Sequence, residues 1–88
     1  MIKEVHVFIE NGGNDRLMRE IVQALHPEYL NQPGLKLVRH DISDWPAEPF
    51  IMASLKLRIE KGIELNTKNC LVQDGNAYGK RIYLVMLK

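Results

Sequence analysis

Much of what would reveal a chemistry is missing from this chain. One cysteine, Cys70, among 88 residues excludes an internal disulfide framework and a four-cysteine zinc site. A reducing compartment, the cytoplasm, is the expectation. No apolar run approaches the roughly 20 residues that a membrane span needs. The apolar stretch after Met1 is too short for a signal peptide, so no membrane role is expected. There is no G-x-G-x-x-G, no Walker lysine and no H-E-x-x-H. No cofactor is expected. Aromatic residues are only 7%, and net charge is only +1.

What is present describes one ordinary globular domain spanning 1–88. Hydrophobic residues are 45% and charged residues 26%, which argues against disorder. The charge is unevenly spread. Residues 1–55 carry five Lys/Arg against eight Asp/Glu; residues 56–88 carry seven against three. Opposite fields of this kind suit a basic-face ligand or self-association.

Residues 2–9, IKEVHVFI, read as a strand. Val5, Val7 and Ile9 point one way, His6 and Phe8 the other. The run is apolar enough for burial on both faces. From Asp15 to His26 the period changes: Leu17, Met18, Ile21, Val22 and Leu25 make one helical stripe. Asn14 or Asp15 is the cap, and Gly12-Gly13 the turn before it. Residues 26–34 connect to a second strand, 35–42, completing a right-handed parallel crossover.

"SDWPAEP", residues 43–49, is punctuation, with Pro49 placed as a first helical residue. Pro49 to Lys61 then reads as a helix closed by a left-handed Gly62, with Ile51, Met52, Leu55 and Ile59 on its apolar face. A β-hairpin at 54–67 is the alternative, because Leu55, Leu57 and Ile59 alternate with Lys56, Arg58 and Glu60. Strands Asn69–Gln73 and Lys80–Leu87, with a turn at Asp74-Gly75-Asn76, close the chain. The expected fold is an α/β two-layer sandwich of β-α-β-α-β-β order, a four-stranded mixed sheet with two helices on one face.

The candidate sites follow from this arrangement. Glu10, Asp15, Asp41 and Asp44 gather hard oxygen ligands at one sheet edge, which suits a divalent cation better than a phosphate. His6 and His40 lie on neighbouring strands, a conceivable His–carboxylate acid–base or metal pair. Cys70 reads as a small buried residue, with a nucleophile near His40 as the alternative. Trp45 is either a partner-binding anchor or a cover for the core. Lys56, Arg58, Lys80 and Arg81, with tyrosines nearby, would serve an RNA- or DNA-binding module. His6 and Phe8 would lie on a sheet face left open, and an exposed apolar face invites a partner. The leading expectation is therefore a non-catalytic protein-interaction module that forms a homodimer or takes a protein partner. The alternatives are the nucleic-acid module and a small metal-binding protein or enzyme at the acidic edge.

The order of elements resembles two known architectures. One is the thioredoxin/glutaredoxin fold without its last helix. Where that family carries C-x-x-C, this chain has Asn11-Gly12-Gly13-Asn14, so the resemblance implies no thiol–disulfide chemistry. The other is the small RNA-binding fold of Alba proteins and of the C-terminal domain of the third bacterial initiation factor. Both are likenesses of fold, which do not carry function.

Overall fold

A computed structural model describes residues 1–45 and 48–88. The middle of the connector between the second strand and the long second helix, Pro46 and Ala47, lies outside the described residues. The elements are β1 (Glu4–Glu10), α1 (Asp15–Leu25), the single turn α2 (Pro27–Leu30), β2 (Lys36–Ile42), α3 (Pro49–Lys61), β3 (Cys70–Ala77) and β4 (Lys80–Leu87). The sheet is four-stranded and mixed, in the order β2-β1-β4-β3. β1 runs parallel to β2 and antiparallel to β4, and β3 pairs antiparallel with β4. The α/β class and the β-α-β-α-β-β order are as the sequence reads. The two strands that are apolar on both faces, β1 and β4, occupy the centre, where both faces must be dry.

The layering differs from the expectation. The helices do not share a face. Val5, Val7 and Ile9 of β1 cluster with Met18, Ile21 and Val22 of α1. Phe8, from the other face of the same strand, clusters with Ala53 and Leu57 of α3. The sheet is covered on both sides, and the open face proposed for His6 and Phe8 does not exist. Both residues are fully buried. The reason is arithmetic. β1 and β4 together carry two apolar faces, and one helical layer covers only one of them.

The opening glycine turn sits where the sequence places it. Asn14 caps α1, its side chain accepting from Leu17 N–H at 2.8 Å. Gly13 is required by closeness: a Cβ there would lie 2.9 Å from the Ile9 side chain. The Gly13 N–H donates to Asp41 at 3.2 Å, tying the turn to β2.

At 49–61 the helix forms and the hairpin does not. Pro49 opens α3, and Gly62 closes it at φ 68, its N–H bonding Arg58 O while Ile63 N–H bonds Leu57 O. The apolar face is another correction. Ala53 and Leu57 are buried and Met52 packs beside them as expected, whereas Ile51, Leu55 and Ile59 point outward. α3 is apolar on two sides, and small Ala53 sits where the helix meets the sheet. The last turn is corrected too. β3 runs through Asp74-Gly75-Asn76, and the chain reverses at Tyr78-Gly79. Both have positive φ (54 and 73), as a two-residue hairpin turn of the primed type demands.

Candidate functional site

Between the sheet and α3 lies a chain of four titratable side chains. The β1–β2 register sets Phe8 beside His40, so His6, Phe8 and His40 share the α3 face. His6 Nδ1 and His40 Nε2 are 2.9 Å apart. On the far side of each ring stands a carboxylate. His6 Nε2 is 3.0 Å from Glu4, two residues back on the same strand face. His40 Nδ1 is 3.6 Å from Glu60 of α3. Phe8 stacks on His40 at 4.4 Å between ring centroids.

Both histidines are hidden from water, and burial lowers the pKa of each. For His6 the hydrogen bond to Glu4 opposes this without overcoming it. For His40 the neighbouring His6 and Lys56 add to burial, bringing it to about 4. Near neutral pH both rings are neutral, and each carries one N–H. Two N–H protons serve three contacts. Ionised Glu4 takes one from His6 Nε2, and His6 Nδ1 then accepts from His40 Nε2. That leaves a lone pair on His40 Nδ1 facing Glu60. The distances agree: two are hydrogen-bond lengths and the third, 3.6 Å, is not.

Of the acidic residues named from sequence, Asp15 and Asp41 meet around Arg39, and Glu10 and Asp44 stand apart from them. Asp15 pairs with Arg39 at 2.9 Å, and Asp41 holds both Arg39, at 3.2 Å, and the Gly13 N–H. Glu10 accepts from the Arg81 backbone N–H. Asp44 is exposed. Among the described residues no group of three His, Cys, Asp or Glu could hold a metal ion.

The basic residues are engaged one by one. Lys56 faces Glu60 and Arg58 faces Glu64, each at 3.4 Å. Lys80 Nζ donates to the carbonyls of Glu10 and Asn11. Arg81 reaches Asp74 and lies over the Trp45 ring at 4.8 Å. Trp45 itself is half-buried against the α3-side core. Its Nε1 has no hydrogen-bond partner among the described residues. Cys70 is buried, donates to Asn66 O at 3.2 Å, and has its thiol pKa raised by burial, which leaves it inert.

An apolar stripe that the sequence assigned to the core lies on the surface of α3. Ile51, Leu55 and Ile59 are 50%, 53% and 81% exposed and fall four residues apart along α3. They form a stripe about 12 Å long. Beside Leu55 a groove of about 280 Å³ separates α3 from the following segment, with Leu65 in its wall and Arg58 and Glu64 at its rim.

His6 and His40 were visible as neighbours from the strand order; Glu4 was missed, although its two-residue spacing to His6 on one strand face could have found it. Glu60 was not visible, because only the docking of α3 brings it to His40. No helix among the described residues is long and apolar enough to cross a membrane. Comparisons with protein-family models, curated proteins and solved structures find no match to this chain, so the resemblances of element order stand alone.

Proposed function

We propose that the protein is a non-catalytic interaction module that self-associates through the outer face of α3. The supporting observation is the stripe of Ile51, Leu55 and Ile59. A single exposed apolar residue is ordinary, but three in register on one helix are a contact surface without a contact.

A second copy of the chain suits the stripe. In a twofold antiparallel pairing, Leu55 meets Leu55 of the copy on the axis, and Ile51 meets Ile59 on either side. The helix ends are complementary as well. Glu48 stands at the N-terminus, and Arg58 and Lys61 occupy the last turn. Antiparallel pairing brings unlike ends together and sets the two helix dipoles side by side in opposite directions. The groove beside Leu55 offers room for a side chain of the facing copy. The four basic residues considered for nucleic acid each have internal partners, which leaves the apolar stripe the better-supported contact.

Sedimentation equilibrium from low to high micromolar concentration is the test. A monomer–dimer equilibrium is expected. A clean monomer throughout would end this reading.

A further inference from the structure

We propose that the Glu4–His6–His40–Glu60 chain is a proton-operated latch on α3, and that taking up one proton releases the helix turns that carry Leu55 and Ile59 from the sheet. This rests on the self-association reading for its functional consequence, because those turns carry two of the three residues of the docking stripe. The latch itself rests only on the geometry of the four residues.

His40 lies on β2 with Phe8 stacked on one side of it. Lys56 and Glu60, one helical turn apart on α3, stand at its other side. It is 4% exposed. A proton can therefore add to the pair in two ways. It can stay inside, where it would complete the third contact of the chain, His40 Nδ1–H to Glu60. Or α3 can lift, letting water reach the imidazolium.

The charged groups around the pair decide between these. Glu4 faces it from β1, Lys36 from β2, and Lys56, Glu60 and Lys61 from α3. Three ammonium groups oppose two carboxylates, and each histidine is the other's nearest titrating neighbour. Glu60, partly exposed and 3.6 Å away, attracts the added proton less than burial, His6 and Lys56 repel it. The closed form therefore refuses the proton, and the open form accepts it. This fixes the sign: acid favours opening.

The size follows from the two affinities. His40 titrates near 6.5 when solvated and at about 4 when covered. Lowering pH from 8 to 5 then multiplies the opening equilibrium about 30-fold. The α1 face of the sheet holds no member of this chain, so opening is confined to the α3 layer. Ile59 adjoins Glu60, and Leu55 adjoins Lys56. The residues that sense the proton and the residues that would dock alternate along the same two turns.

The test reads the latch and the dimer separately. Histidine ring signals and the backbone amides of residues 55–62 are followed by NMR from pH 8 to pH 5, with sedimentation equilibrium at both ends. The expected result has three parts. His40 titrates well below 6.5, the protection of the 55–62 amides falls about 30-fold with acid while those of α1 keep theirs, and dimer affinity falls. His40→Gln, which cannot titrate, removes the larger part of this response and leaves only what His6 contributes. Glu60→Gln, a change on the surface that spares the fold, lowers the His40 titration further, read by extending the ring-signal series to pH 3. Ordinary titration of His40, or equal loss of protection in α1 and α3, would overturn the latch. So would a His40 titration that moves up toward 6.5 in Glu60→Gln. A monomer at pH 8 whose 55–62 amides still respond to acid would remove the docking reading and leave the latch standing.

Discussion

Replacing Ile59 with Gln isolates the docking surface from the fold. Ile59 is 81% exposed, so the monomer has little burial to lose there. Gln is also the better helix former, so the dilute monomer should keep its stability to within about 0.5 kcal/mol. In the dimer the same side chain would be covered. Fully burying an isoleucine is worth about 1.5–3 kcal/mol, and roughly four-fifths of that is still to be gained. The twofold axis applies the loss twice. The dimer should therefore weaken by about 3 kcal/mol, or about 100-fold in Kd. Sedimentation equilibrium measures the Kd. Thermal unfolding at the lowest usable concentration checks the monomer, because dimerisation by itself raises Tm with concentration. An unchanged Kd would refute the stripe as the contact. A monomer weakened by more than 1 kcal/mol would mean that Ile59 serves the fold instead.

Further outcomes follow from the same structure. Phe8→Ala should cost about 3–5 kcal/mol in chemical denaturation, since the ring is fully buried. By uncovering His40 it should also raise that residue's pKa toward 6.5 in any folded population, read by NMR. Gly62→Ala should cost about 1 kcal/mol, because the left-handed cap at φ 68 is strained for alanine, whereas Gly75→Ala, at ordinary φ with open space around it, should cost less. Overall stability should be greatest above pH 6.5. With His6 and His40 both lowered in the fold, the unfolded chain binds more protons below 6.5, so stability falls as pH drops from there toward 4. Urea titrations at pH 7.5 and 5 check this, and equal midpoints would contradict it. Tyr83, pushed up to about 12 by burial, should ionise only well above the ordinary tyrosine range when phenolate absorbance is followed with pH.

The sequence by itself determined most of the local structure, the place of the β3–β4 turn excepted. Asn14 after two glycines, Pro49 and Gly62 fixed the limits of two helices, because caps and φ-restricted residues act within a few positions of themselves. Apolar runs on both faces identified β1 and β4 as inner strands, and crossover handedness made β1 and β2 parallel. Strand alternation was enough to set His6 and Phe8 on one face and to bring His40 near them. The assignment of faces to layers belonged to tertiary structure. α3 has apolar residues around much of its circumference, so its periodicity could not say which side would meet the sheet. Only docking buried Ala53 and Leu57, put Ile51, Leu55 and Ile59 outside, and carried Glu60 to His40. Covering the second sheet face likewise turned His6 and Phe8 from a surface into a core. A local pattern records how apolar a residue's surroundings should be. Which partner supplies them depends on contacts far apart in the chain, such as the thirty-four residues between His6 and His40, and those are decided when the layers close.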